Sequence, residues 1–241
     1  MTFTRNLARK FVLVAAAFAV VLALGATSAR ADSVTYDITV PNTALSTQTG
    51  PYAQVTVTLT SATTATVTFN SCGPTGDAAC LSGGTLFTMG GVNAAGVNVN
   101  ASSWTIGSFS ASNFEGSGFT PGPVTDGGSG NVSSFGVFNQ TNNSFDGFGH
   151  SSTTISFVLT NTGGTWASAA DVLAANADGF VAEIHGFSCT DTAQSDCTEA
   201  IVTGFAVNGE PTNPVPEPGT LTLLGTGLLT MAGFLRRKLV K

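Results

Sequence analysis

The sequence predicts an all-β protein: an antiparallel β-sandwich or jelly-roll-like body with one short helix, between an N-terminal signal helix and a C-terminal transmembrane helix. Three observations predict it. Apolar/polar alternations of period two recur along the middle of the chain, and clusters of Gly, Asn, Ser and Pro divide them. The long apolar runs lie at the two ends, each beside Arg and Lys. Many short strands with Gly-rich turns indicate a sandwich or jelly roll. No repeat of fixed period supports a β-solenoid.

The elements follow in order. Arg5, Arg9 and Lys10 precede the apolar run Phe11 to Leu24, and Ala29-Arg30-Ala31 gives a small-x-small site before Asp32. Residues 1–31 therefore read as a secretory signal peptide, cleaved after Ala31; the alternative is an uncleaved anchor, but Gly25 ends the run short of the roughly 20 apolar residues a span needs. Residues 32–209 are one domain's worth of chain, enough for a real core. Ala53 to Thr60 alternates Val55, Val57 and Leu59 against Gln54, Thr56 and Thr58. Thr64 to Asn70, Thr153 to Thr160, Phe180 to Phe187 and Ile201 to Val207 read the same way, Val34 to Val40 and Ser103 to Phe109 less cleanly. Ser168-Ala169-Ala170-Asp171 has the form of a capping box, and Val172 to Ala174 would continue a short helix that Asn176 ends. Residues 111–131, rich in Gly, Ser and Pro, read as a long loop. Residues 210–218 form an extended, Pro-rich spacer.

Charge is partitioned sharply. The eight basic residues are Arg5, Arg9, Lys10, Arg30, Arg236, Arg237, Lys238 and Lys241. None occurs from Asp32 to Val215, where an average globular stretch would carry about 20. That stretch holds every acid but Glu217, so its net charge is near −13. No ion pair to Lys or Arg forms inside it, and phosphate backbones are repelled, which excludes nucleic acid as a partner.

The four cysteines of an exported chain read as disulfides. Cys72 and Cys80 are eight apart, as are Cys189 and Cys197. Of three connectivities the local one, 72–80 and 189–197, is expected, because each pair brackets a Gly-rich or polar loop after a strand. Each closure would contribute roughly 2.5 kcal/mol. Neither pair has the CxxC-like spacing of a zinc site.

No catalytic constellation emerges, and the body is read as a non-enzyme. Its two histidines, His150 and His185, have no nucleophile elbow beside them. Glu115 and Glu183 are the glutamates that a glycosidase reading would enlist, but no spacing singles out a carboxylate pair. No cofactor is implied by a motif. Calcium is the candidate metal, with Asp126, Asp146 and Asp178 as candidate ligands in Asp/Asn/Gly-rich loops; ordinary turn chemistry explains the same residues. Trp104 and Tyr52 are the candidate carbohydrate-stacking rings, beside Tyr36 and Trp166. Trp166 reads as a core plug, and so does most of the cluster Phe135, Phe138, Phe145 and Phe148.

At the C-terminus, Pro216-Glu217-Pro218 is followed by an apolar stretch, 219–235, and then by the basic stop 236–241 with Arg236-Arg237-Lys238. As a helix, 219–235 spans about 25 Å at roughly 1.5 Å per residue, the short limit for a bilayer core of about 30 Å. The basic end holds that side in the cytoplasm, so the body lies outside. This arrangement resembles the tail of the PEP-CTERM proteins, the sorting substrates of bacterial exosortases. The resemblance implies that, after signal peptidase acts at the other end, a membrane-embedded cysteine transpeptidase recognises Pro216, Glu217 and Pro218. It would cut nearby and release a transiently membrane-anchored body to the envelope, outer surface or medium of a Gram-negative-type bacterium that makes exopolysaccharide. A plain membrane anchor is the alternative. The stretch Asn161-Thr162-Gly163-Gly164-Thr165-Trp166, with Asp171, Asn176 to Gly179 and Phe180-Val181-Ala182, also resembles a segment of many PEP-CTERM bodies, without binding residues to carry over. The function expected is structural or adhesive within an extracellular matrix or biofilm, the alternatives being an exopolysaccharide-binding module and a secreted hydrolase.

Overall fold

The computed structural model describes residues 32–72, 86–113, 121–144, 147–189 and 200–208. The signal segment, the spacer and the apolar tail expected at 1–31 and 210–241 lie outside them. Among the described residues no helix is long and apolar enough to cross a membrane.

The described residues form eleven strands: β1 Asp32–Pro41, β2 Ala53–Ser61, β3 Thr64–Ser71, β4 Leu86–Met89, β5 Gly91–Val97, β6 Trp104–Ser112, β7 Val124–Asn131, β8 Val137–Ser144, β9 Thr154–Asn161, β10 Ala182–Cys189 and β11 Ala200–Asn208. They form one sheet in the order β6-β9-β3-β2-β1-β11-β10-β5-β8-β7, with β4 pairing β10 beyond the end of β5. The ladders β2–β3, β3–β9, β6–β9, β1–β11, β10–β11, β4–β10, β5–β10, β5–β8 and β7–β8 are antiparallel. The sheet curls until it is nearly closed. Its two ends meet through side chains: Trp104 Nε1 on β6 donates to Gln140 Oε1 on β8 at 3.0 Å, and Gln140 Nε2 donates to Asp126 Oδ1 on β7 at 2.7 Å.

The alternation that marked β2, β3 and β9 is the alternation of the core. Val55, Val57, Val67, Phe69, Ile155, Phe157 and Leu159 turn inward and are fully buried, joined by Val34, Tyr36 and Ile38 of β1. Register aligns them in rows, with Val57 opposite Val67 and Val67 opposite Phe157. The outward face is a hydroxyl surface, in which Thr68 and Ser156 meet across β3–β9 at 3.1 Å and Thr35 and Thr56 across β1–β2 at 3.2 Å. β-Branched residues on both faces suit such a wall.

Two expectations need correction. The short helix at Ser168–Asn176 is only a 3₁₀ turn, Ala169–Asp171. Ser168 Oγ donates to the Asp171 carboxylate at 2.9 Å and caps no backbone N–H. Val172 keeps helical angles, but the residues that would continue the helix are committed to another segment: Val99 and Leu173 form a bridge, and Asn100 N–H donates to the Val172 carbonyl at 2.9 Å. Backbone groups committed to that pairing cannot close helical turns. The expected loop at 111–131 is shortened at both ends, for β6 extends to Ser112 and β7 occupies Val124–Asn131; residues 114–120 lie outside the described set.

Candidate functional site

A concavity lies where β5 leads into β6, against the segment that follows β9. Its volume is about 600 Å³, within the range of small-ligand sites. One wall is 98–102, the other 161–167, and Asp171 and Ala174 close the end. Hydrogen bonds fix each wall before any ligand arrives. Asn98 Nδ2 donates to the Ala174 carbonyl at 3.1 Å, and Asn100 Nδ2 donates to the Asp171 carbonyl at 3.0 Å. Trp166 donates Nε1–H to the Asn100 carbonyl at 2.8 Å and its backbone N–H to the Ala62 carbonyl at 2.7 Å. Thr162 and Gly163 both donate backbone N–H to the Ser103 carbonyl, and Gly163 N–H also reaches Asn161 Oδ1 at 3.0 Å. The glycine at 163 is sterically required, because a Cβ there would collide with the Ser102 hydroxyl.

The amides that hold the walls each keep one end uncommitted. Among the described residues, Asn98 Oδ1, Asn100 Oδ1 and Asn161 Nδ2 make no hydrogen bond, and the exposed Asp171 carboxylate accepts only from Ser168. Asp171 acts on its surroundings, too. Burial first, and the Asp171 charge second, push the Tyr36 hydroxyl above its ordinary pKa.

A second place concentrates buried polarity. Glu183 on β10 is fully buried, neither carboxylate oxygen has a hydrogen-bond partner, and burial raises its pKa well above the carboxylate range. It opposes Gly96 on β5 and Val207 on β11, and a Cβ at Gly96 would stand 2.5 Å from Glu183 Oε1. Asn142 on β8 is likewise buried with both amide atoms unpartnered. His185, two residues along from Glu183, stacks on Phe205 with ring centroids 4.3 Å apart. Its ring nitrogens lie 3.1 Å from the Val92 carbonyl and 2.9 Å from Thr203 Oγ1. Burial lowers its pKa, against a smaller opposing effect of the Val92 hydrogen bond, so the imidazole is neutral and committed to its neighbours.

The residues singled out from sequence are scattered. Tyr52 is 2 % exposed, its ring edge-on to Phe87 at 4.9 Å and its hydroxyl donating to the Gln48 carbonyl at 2.9 Å; it offers no face to a sugar. Trp104 is half-buried and spends its N–H on Gln140. Trp166 is buried, as a core plug should be, and Phe135 and Phe138 sit in a small second core with Val132 and Val207. Asp126 is in strand β7, not a loop, and its carboxylate accepts from Gln140 and from the Gly128 N–H. Asp178 lies in the turn that Asn176 Oδ1 organises by accepting from its N–H at 3.0 Å. Asp146, Glu115, Cys80, Cys197 and the sorting residues Pro216, Glu217, Pro218, Arg236 and Arg237 lie outside the described residues, as does the Cys189 side chain. No group of three or more His, Cys, Asp or Glu suited to a metal occurs among the described residues. Cys72 is buried and disulfide-bonded; the pairings 72–80 and 189–197 themselves fall outside the described set.

Sequence reasoning missed the cleft. Its trace was present in Asn98 and Asn100, two apart at a strand end, and in the Asn161–Trp166 stretch, but nothing in the sequence joins two segments more than 60 residues apart.

Compared with known proteins, residues 214–238 match the family described as the PEP-CTERM protein-sorting motif. The class follows from that match: an exported protein sorted by an exosortase, with an antiparallel all-β body. More particularly, the chain is a PEP-CTERM sorting-domain protein. No curated protein and no solved structure matches it.

Proposed function

We propose that this protein is a structural or adhesive component of the cell envelope or extracellular matrix, released from its tail helix after export. The observation that carries the reading is the sorting motif at 214–238, in register with an apolar stretch and a basic stop. The body supports it. A strongly acidic chain without Lys or Arg resists nonspecific contact with nucleic acid and with anionic surfaces, and a curled sheet with a continuous apolar core survives outside the cell. We further take the sheet as a jelly-roll-like body and the cysteines as local disulfides, both usual in exported domains.

The intact mass of protein recovered separately from the envelope and the medium of its native host tests this. The expected mass begins at Asp32 and ends near Pro216–Pro218, with any excess identifying an attached group. A mass running to Lys241 in every fraction would reduce the tail to an anchor and remove the main support for a matrix role.

A further inference from the structure

We propose that the cleft between 98–102 and 161–167 is a binding site for a neutral glycan. The inference rests on the extracellular reading above and adds the ligand class and the residues. Three observations carry it.

The first is the donor set. An exposed carboxylate, Asp171, lines the same cleft as Asn98, Asn100 and Asn161, each of which has one amide end without a hydrogen bond among the described residues. Vicinal hydroxyls each donate one hydrogen and accept another, so a carboxylate flanked by amides matches a sugar edge. The second is preorganisation. Asn98, Asn100 and Trp166 are each anchored to backbone of another segment, and Asn161 to Gly163 on its own wall, so binding orders little that was free. Trp166 backs the cleft as a rigid, buried plane rather than an exposed stacking ring.

The third is charge, and it fixes the class. Acidic polysaccharides need cations, and from Asp32 to Val215 there is neither Lys nor Arg. Asp171 inside the cleft and the net charge near −13 repel uronates and sulfates. A free cation is a poor occupant as well, since Asp171 is the single carboxylate lining the cleft and no metal-holding group is found among the described residues. A peptide would seek apolar pockets or a sheet edge, whereas the lining here is mainly polar, with small alanines, Val99 and the Trp166 plane between its amides and hydroxyls.

The test is titration calorimetry of the full chain in detergent with cello-, xylo- and manno-oligosaccharides and the neutral fraction of the host's exopolysaccharide, against alginate and polygalacturonate oligomers. Binding of at least one neutral glycan is expected, with none of the acidic ones. Asp171→Asn should weaken it about tenfold or more, as loss of a charged acceptor does. Gly164→Leu should abolish it without unfolding the body, because a Cβ at Gly164 meets nothing closer than the Asn161 amide at 4.0 Å. Val92→Ser, at the exposed start of β5 and not among the lining residues, should leave affinity unchanged. Acidic glycans bound as well as neutral ones, no neutral glycan bound at all, or binding indifferent to both cleft variants would each overturn the proposal. The mass measurement separates the two readings: a body released outside the cell that binds no neutral glycan sinks this inference alone.

Discussion

The wall built by β3, β2 and β9 and the wall built by β10, β5 and β8 belong to one sheet, yet they bury opposite chemistry. In the first, the inward positions of β3 and β9 are Ala, Val, Ile, Leu or Phe up to the strand ends, where Ser71 and Asn161 stand, and the outward hydroxyls meet in cross-strand pairs. In the second, Glu183, Gln140, Thr141, Asn142 and Ser144 are buried, and Glu183 and Asn142 have no hydrogen-bond partner. Burying an apolar side chain stabilises by about 1.5–3 kcal/mol, whereas an unsatisfied buried polar group costs about 1–3 kcal/mol. The apolar wall therefore carries stability for both, and the polar wall is where the fold tolerates loss.

The largest effect should come from breaking the apolar wall. Phe157 is fully buried, flanked by Phe69 at 6.1 Å and Phe109 at 6.3 Å. Phe157→Ala should lower the unfolding free energy by about 3–5 kcal/mol, read as a shift of the denaturant midpoint at unchanged slope. A loss under about 1 kcal/mol would mean that this wall does not hold the fold. The polar wall should respond in the opposite direction. Burial keeps the Glu183 carboxyl protonated in the fold over a range where the unfolded chain has released its proton. Stability from this group is complete below the ordinary carboxylate range and declines as pH rises toward the raised value, by about 1.4 kcal/mol per pH unit. The groups that oppose it on neighbouring strands, Gly96, Val207 and then Thr141, are uncharged, and His185 on its own strand has its pKa lowered by burial. Glu183→Gln should match the parent near pH 4 and exceed it increasingly above pH 5. Parallel stability curves for the two proteins across that range would show that the carboxylate is relieved by solvent or a cation.

The same contrast decides what could be read from sequence. β2, β3 and β9 were evident because a one-sided apolar wall writes period two into the chain. β5, β7 and β8 were not, because Gly and Ala make up most of β5, and Gly, Asn, Gln, Ser and Thr most of β7 and β8. The glycines of β7 make room for neighbours' polar side chains: a Cβ at Gly127 would lie 2.7 Å from Thr141 Oγ1, and one at Gly130 would lie 2.6 Å from Asn93 Oδ1. Propensity scores such residues as turn formers, and only the sheet around them makes them strands. The tail motif was legible because it is contiguous. The cleft was not, since its two walls are distant in sequence and its chemistry lies in amides that elsewhere mark turns. Tyr52 shows the converse error, a ring whose type suggested a surface role and whose place in the core no local pattern records.

The smallest effect tests whether the two walls are joined at the seam. β6 and β7 end the strand path, and the described side-chain link between these ends runs from Trp104 through Gln140 to Asp126. Trp104→Phe keeps an aromatic ring but deletes the donor, leaving Gln140 Oε1 unpaired at a residue only 4 % exposed. The cost should be about 1 kcal/mol overall, the net value of one hydrogen bond. Its location is more informative than its size. Amides of β6 and β7 should exchange faster with solvent, while those of β2 and β3 in the apolar wall keep their protection, because seam opening does not require the apolar core to unfold. Uniform acceleration over all strands would instead mean that the curled sheet opens only by global unfolding, with the seam and the apolar wall forming a single cooperative unit.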